Sequence, residues 1–139
     1  MKRGWTYLLS AWAIALVSTF GALFIGEVML MVPCTLCWYQ RIAMFPIVII
    51  LAVGLMPFDD RCVRYALPLA VAGWLVALYH CLLYWGVIPK DLVPCGEGAS
   101  CTDVKAVLFG FVPVPLLSLA AFSLVVVFLS IVKKESRSE

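Results

Sequence analysis

Four long apolar runs separated by short polar segments make up most of this 139-residue chain. A helix needs about 20 apolar residues to cross a hydrocarbon core of about 30 Å, and each run is close to that length. The pattern therefore predicts an all-α membrane protein, a bundle of four transmembrane helices. The predicted spans are approximately residues 5–25, 40–58, 65–88 and 112–132.

Two of these runs have ends that the pattern alone does not define. The second run follows Trp38 and Tyr39, which suit the membrane interface, and Pro46 is expected in its first turns, where a proline is best tolerated. The fourth run is interrupted by Gly110 and two prolines, so its helix is expected to begin near Pro115.

Composition agrees with a membrane protein. The chain is 65% hydrophobic and 13% charged, whereas an average soluble domain is about 45–50% apolar and about 25% charged. We therefore expect a single integral membrane domain over residues 1–139 and no separate soluble one. The net charge of +2 is small and the basic residues are spread along the chain, which argues against a nucleic-acid partner.

The distribution of Lys and Arg predicts the orientation of the bundle. With four spans, the N-terminal tail, the 59–64 turn and the C-terminal tail share one side and carry seven of the ten basic residues. Arg41, Lys90 and Lys105 lie on the other side. The positive-inside rule then places both termini in the cytoplasm.

This orientation divides the six cysteines. The outer side carries two close pairs, Cys34/Cys37 and Cys95/Cys101. That side is the compartment in which disulfides form and persist. Cys62 falls in the reducing cytoplasm and Cys81 inside the third span, so we expect neither to take part in redox chemistry.

The first pair begins a stretch rich in chemistry, Pro-Cys-Thr-Leu-Cys-Trp-Tyr-Gln-Arg over residues 33–41. A Cys-x-x-Cys pair at the start of a helix can close a small disulfide ring, and the positive end of the helix favours a thiolate. Arg41 follows Cys37 by one helical turn, so a permanent positive charge lies near one sulfur.

Three roles are open to two outward-facing pairs. Structural stapling is weak, because a ring of about seven residues contributes only about 2 kcal/mol in the chain-entropy model and a four-residue ring less. Zinc would need two ligands beyond a Cys-x-x-Cys half-site, and the sequence offers an irregular loop pair and one intramembrane histidine. Thiol–disulfide exchange fits better, since two pairs within reach of each other form a relay. We predict exchange and no metal site.

Thiol–disulfide exchange needs an electron acceptor in the lipid. A quinone, either menaquinone or ubiquinone, is a lipid-soluble two-electron acceptor of this kind. Trp38, Tyr39 and Arg41 suit a flat ring whose oxygens become negative on reduction. His80 is a further candidate, because it is an ionisable residue one to two turns from the outer end of its span. A quinone oxygen and a neighbouring backbone or hydroxyl group remain alternative partners for it.

These features together resemble the DsbB family of disulfide bond formation proteins, and more closely its short Gram-positive members of the BdbC type. The resemblance covers nearly the whole chain. It rests on the four spans, the histidine late in the third, Pro33-Cys34-x-x-Cys37-x-x-x-Arg41 and Pro94-Cys95-x5-Cys101.

The resemblance implies a quinone-linked thiol oxidase of the bacterial cell membrane that supports disulfide formation in secreted proteins. By it, Cys95 and Cys101 accept electrons from a thioredoxin-like, DsbA-like thiol oxidase outside the cytoplasm, with Cys95 forming the mixed disulfide. Cys34 and Cys37 re-oxidise them, Cys37 facing the quinone beside Arg41.

Two expectations remain beside this one. The second outer loop is shorter than in the long family members, so their interfacial helix is not carried over; segment 104–111 is the candidate to replace it, and the sequence leaves that question open. The alternative function is a non-catalytic four-helix membrane protein with structural disulfides or a metal-binding loop.

Overall fold

The structure, a computed structural model, describes residues 2–30, 33–89, 107–108 and 110–138. The described helices are α1 (Lys2–Leu23), α2 (Thr35–Leu55), α3 (Val63–Tyr84) and α4 (Val114–Ser138). A π-helical segment, Phe24–Val28, continues α1, and a 3₁₀ turn, Asp60–Cys62, precedes α3. All four helices are long and apolar enough to cross a membrane, which confirms the predicted four-helix membrane class.

The helices form a closed ring in which each one packs against its neighbours in the chain and α4 packs back against α1. Both termini and the turn between α2 and α3 lie at the same end. A Cβ on Gly4 would be 3.2 Å from the Phe58 ring and 3.6 Å from the Glu135 carboxylate, and Ser136 donates a hydrogen bond to Asp60. The start of α2 and the end of α3 therefore meet at the opposite end.

Helix α2 begins earlier than its apolar run. Cys34 has an extended backbone at the N-cap position, and its sulfur accepts a hydrogen bond from the N–H of Cys37. Because this cap starts the helix at Thr35, Pro46 lies in the middle of α2 and not in its first turns. The expectation for Pro46 is wrong, since it counted turns from the start of the apolar run near residue 40 and not from the Cys-x-x-Cys pair, where the helix begins.

The entry into α4 is a short β-hairpin. Strands β1 (Val107–Leu108) and β2 (Val112–Pro113) pair antiparallel, and Gly110 between them has a φ of +84°. Such a backbone angle suits glycine and interrupts a helix. Within segment 104–111 the described residues are a strand at 107–108 and a turn at 110–111, so none of them belongs to an interfacial helix; residues 104–106 and 109 lie outside the described residues. Helix α4 begins at Val114, beside Pro115, where the prolines predicted a start.

Small residues let the helices approach closely. One face of α3 presents four buried small residues, Ala66, Ala70, Gly73 and Ala77. Their spacing of three and four places them in a single stripe. The ring of Phe122 from α4 occupies the space beside Gly73. Close approach through small residues is the usual basis of helix packing in lipid.

A hydrogen bond between α3 and α4 adds to this packing. Trp74 Nε1 donates to Ser123 Oγ at 2.9 Å, and Ser123 in turn donates to the carbonyl of Leu119. The side-chain donors of Trp74 and Ser123 therefore both have an acceptor.

The packing at Gly73 predicts a stability change. Gly73→Ala should lower the free energy of unfolding by about 1–3 kcal/mol, because the new Cβ would overlap the Phe122 ring, which cannot move freely in the core. Unfolding of the purified protein in detergent, followed by circular dichroism, measures the change.

Gly21→Ala is the matched control. Gly21 is also helical, but a Cβ there would meet no atom within 4 Å, so this variant receives only the helix-propensity gain of about 0.5–1 kcal/mol. Equal stability of the two variants would show that Phe122 does not constrain Gly73.

Candidate functional site

The first cysteine of the pair is held by the N-terminus of α2. Cys34 is only 7% exposed and packs with Leu36 and Leu83 in a small cluster where α2 begins and α3 ends. Its Sγ lies 3.4 Å from the backbone nitrogen of Cys37, whose N–H it accepts. The sulfur thus takes the place that a Ser or Asp oxygen takes in most helix caps.

The sulfurs of Cys34 and Cys37 lie 3.1 Å apart as two free thiols. A disulfide requires about 2.05 Å, so a movement of about 1 Å converts the contact into a bond. The pair is therefore placed for reversible disulfide formation.

His80 approaches the same sulfur from α3. Its Nε2 lies 3.8 Å from Cys34 Sγ, and its Nδ1 lies 3.2 Å from the side-chain amide nitrogen of Gln40. Because Nδ1 accepts from Gln40, the ring proton is on Nε2 and faces the sulfur. His80 is 4% and Gln40 6% exposed, so both are shielded from solvent.

The environment of Cys34 favours its thiolate. Its pKa is lowered to about 4, first because the Cys37 thiol donates a hydrogen bond to its sulfur. Burial opposes this shift, whereas the hydrogen bonds from His80 and from the N–H of Cys37 support it. A thiolate is the nucleophile of thiol–disulfide exchange.

Arg41 projects from the other side of α2, toward α1. Its Nη2 donates to the carbonyl of Ala22 at 2.6 Å, and its guanidinium carbon lies 5.5 Å from the centre of the Trp38 ring. A Cβ on Gly26 would be only 2.8 Å from Nη2. The guanidinium therefore occupies a notch that exists because residue 26 has no side chain.

The residues predicted for cofactor binding fall into two places. Trp38 and Tyr39 are 53% and 51% exposed, and Arg41 lies beside Trp38 at the surface. His80 belongs to α3 and contacts Cys34 on the side of α2 that faces away from Arg41. The structure thus brings His80 to the sulfurs and Arg41 to an aromatic surface.

The remaining cysteines are separate from this cluster. Cys62 lies at the other end of the bundle, where its sulfur fills the space beside Gly54. Cys81 is 2% exposed in α3. Cys95 and Cys101, predicted as catalytic, lie outside the described residues.

Sequence reasoning missed Gln40. It is the one amide side chain within α2, and it lies three residues after Cys37. An amide inside a membrane helix needs a partner, and that requirement was the available signal.

The cluster also has the donor set of a metal site. The ligand atoms of Cys34, Cys37 and His80 all lie within 4.8 Å of one another. The third ligand is His80, which the sequence offered as a candidate and which α3 brings beside the cysteine pair.

Comparison with known proteins agrees with this geometry. The family model for "Disulfide bond formation protein DsbB" matches residues 2–132. A "Probable disulfide formation protein" of Metapseudomonas resinovorans is 47% identical over 133 residues, 95% of this chain and 92% of the relative. "Disulfide bond formation protein C" of Bacillus subtilis is 36% identical over 135 residues, 97% of this chain and 98% of the relative.

No solved structure matches the chain. The family match over nearly the full length, the relatives and the paired thiols at the head of a membrane helix lead to one conclusion. The chain belongs to the DsbB family of disulfide bond formation proteins and is a multi-pass membrane thiol–disulfide oxidoreductase.

Proposed function

We propose that this protein re-oxidises a thioredoxin-like, DsbA-like thiol oxidase outside the cytoplasm and delivers the electrons to a membrane quinone. The partner's dithiol becomes a disulfide while the Cys95–Cys101 disulfide becomes a dithiol. The same exchange then passes two electrons and two protons to the Cys34–Cys37 disulfide. Each of these two thiol steps exchanges one disulfide for another. The Cys34/Cys37 dithiol would then return to a disulfide by giving its two electrons and two protons to the quinone, which would become a quinol.

The observation that carries the proposal is the contact between the two sulfurs at the head of α2. They lie 3.1 Å apart, and Cys34 also faces the imidazole of His80 at 3.8 Å. We assign His80 and Gln40 to positioning, since the amide of Gln40 orients the ring and the ring proton stabilises a thiolate on Cys34. Membership of a disulfide bond formation family supports this use of the pair.

The loop pair is assigned by family resemblance. The Cys34/Cys37 pair is mostly buried between α2 and α3, so a folded partner has restricted access to it. A second pair in the outer loop would reach the partner first. This division of labour supports Cys95 as the site of the mixed disulfide.

The surface beside Arg41 fits a quinone. Trp38 and Tyr39 are half-exposed in the first turns of α2. Among the residues that the structure describes, the guanidinium's hydrogen bond is the one from Nη2 to the carbonyl of Ala22, which leaves its other N–H groups for an oxygen. A bound quinone would supply a two-electron, two-proton acceptor. Arg41 and Trp38 would hold its head group, and Arg41 would stabilise negative charge on its oxygen.

The orientation with both termini in the cytoplasm is supported by clustered charge. Seven basic residues belong to the tails and the α2–α3 turn, and contacts at Gly4 and Ser136 bring these segments to one end of the bundle. The positive-inside rule then puts the Cys34/Cys37 end outside the cytoplasm.

The relay predicts which cysteines are required. Serine at any one of four positions should abolish oxidation of the partner, because the chain of exchanges would lack a sulfur. These positions are Cys34, Cys37, Cys95 and Cys101. Turnover of a reduced thioredoxin-like partner by the purified protein with added quinone measures the loss.

Cys62→Ser and Cys81→Ser are the controls, since neither sulfur belongs to the cluster of Cys34, Cys37 and His80, and they should keep near-normal turnover. Full activity of Cys95→Ser would contradict the relay.

The orientation predicts which reporter cysteines react from outside. In a variant whose six native cysteines are serine, Val87→Cys should react with a membrane-impermeant maleimide in intact cells, and Ser138→Cys should not. Val87 is exposed just beyond α3, and Ser138 ends α4 at the opposite end. Permeabilised cells, in which both should react, are the control. The reverse labelling pattern would invert the topology.

The quinone surface predicts a defect confined to quinone use. Arg41→Ala should raise the apparent KM for quinone at least tenfold, since a charge-assisted hydrogen bond of about 1.5–3 kcal/mol corresponds to roughly 10- to 150-fold. Mixed-disulfide formation through Cys95 should persist. Arg41→Lys should restore the KM only in part, because lysine lacks the planar fork.

Gly26→Ala tests the position of the guanidinium without removing it. The added Cβ must displace the flexible end of Arg41, so the KM should rise while stability stays near normal. Gly21→Ala on the same helix is the matched control. Quinone titrations of Arg41→Ala that matched the unsubstituted protein would leave Arg41 as an interfacial anchor only.

A further inference from the structure

Two cysteine sulfurs and one imidazole lie close together where α2 begins and α3 ends. Cys34 caps α2, Cys37 follows in its first turn, and His80 projects from α3. Their Sγ and imidazole nitrogen atoms lie within 4.8 Å of one another. We propose that the dithiol form of this cluster binds a single thiophilic divalent cation, Zn²⁺ being the representative, and that the bound metal holds the protein in an inactive state.

The distances suit tetrahedral coordination. With Zn–S of about 2.3 Å and Zn–N of about 2.0–2.1 Å, a tetrahedral site needs roughly 3.8 Å between sulfurs and roughly 3.5 Å from sulfur to nitrogen. The observed separations are 3.1 Å between Cys34 and Cys37 and 3.8 Å from Cys34 to His80. These two separations differ from the ideal by less than 1 Å, and the third, between Cys37 and His80, is within 4.8 Å.

The charge of the complex suits its surroundings. Two thiolates and a neutral imidazole around Zn²⁺ give a net charge of zero. Cys34 and His80 are 7% and 4% exposed, and a neutral complex costs far less to bury there than a free ion. Two thiolates and an imidazole also select against hard cations such as Mg²⁺ and Ca²⁺.

Gln40 supplies the outer support that metal-bound histidines usually have. When Nε2 of His80 binds the metal, Nδ1 carries the proton and needs an acceptor. The side-chain amide of Gln40 lies 3.2 Å from Nδ1, and rotating that amide by 180° presents its oxygen to the ring. His80 and Gln40 thus stabilise the Cys34 thiolate when no metal is bound and would hold the metal when it is.

The binding step is a proton-for-metal exchange. Cys34 enters as the thiolate described above and Cys37 loses its S–H proton, two S–Zn bonds form, and no electron moves. A disulfide has no thiolate to offer, so metal binding and the Cys34–Cys37 disulfide exclude each other. Three protein ligands leave a fourth position for water. Zinc therefore traps the reduced enzyme before its re-oxidation.

The experiment measures Zn²⁺ binding to the full chain in detergent, with Cys95→Ser and Cys101→Ser present so that the loop pair cannot contribute. Calorimetry with Zn²⁺ alone should show one site per chain in the dithiol form and none in the disulfide form. X-ray absorption of the zinc-loaded protein should show two sulfur ligands and at least one imidazole.

Variants separate this site from a bare Cys-x-x-Cys. In the same background, His80→Ala should weaken Zn²⁺ binding by more than Gln40→Ala, for which loss of outer support predicts roughly 10- to 100-fold. Cys81→Ser is the matched control, because Cys81 adjoins His80 but contributes no atom to the cluster, and it should bind Zn²⁺ unchanged. Spectroscopy of each variant verifies that it is folded.

Unaltered affinity in both His80→Ala and Gln40→Ala would overturn the proposal, as would an absorption spectrum without imidazole or a dithiol form that does not bind zinc. The last two measurements need no substitution at His80. Thiol oxidase turnover is measured separately with a zinc chelator present, so failure of the metal site leaves the proposed function standing.

Discussion

The site depends on one capping interaction. A helix needs acceptors for its first N–H groups, and in α2 the sulfur of Cys34 provides one by accepting the N–H of Cys37. The same contact fixes where the helix begins, brings the two sulfurs together and turns Cys34 toward His80. A residue that caps with oxygen would satisfy the helix equally well, but it would leave no redox centre. The Sγ atom of Cys34 thus both caps the helix and forms the redox pair with Cys37.

The bundle supplies the second half of the site through the register of α2 against α3. His80 belongs to the same helix as the buried small residues of the α3 stripe, which set how closely α3 approaches the rest of the ring. That packing lies deeper in the bundle than the sulfurs. Because a helix is stiff, the core determines where the imidazole of His80 lies relative to Cys34. Substitutions far from the sulfurs can therefore alter their environment.

Much of this architecture follows from sequence alone, because lipid demands long apolar helices and the basic residues mark one end. The cysteine pair, Arg41 and His80 were also visible as chemistry. The partner of His80 was not, since contact between Cys34 and residue 80 depends on the rotation of two helices, which a hydropathy pattern does not encode. The position of Pro46 within α2 was misjudged because the apolar run begins about five residues after the helix does, and a polar first turn in front of an apolar run carries no periodic signal. The hairpin before α4 likewise depends on the backbone angle of Gly110.

Pro46 has a mechanical consequence for the whole centre. It cannot donate the hydrogen bond that the carbonyl of Ile42 would otherwise receive, so α2 lacks one rung of its ladder at mid-length. Pro46 thus separates the N-terminal half of α2, which carries the sulfurs, from its C-terminal half, which packs in the core. Sulfurs that alternate between 3.1 Å and a bond of about 2.05 Å impose a small, repeated displacement on the head of α2. Because a helix is easier to bend where a backbone hydrogen bond is missing, Pro46 is the point at which α2 is best able to take up that displacement.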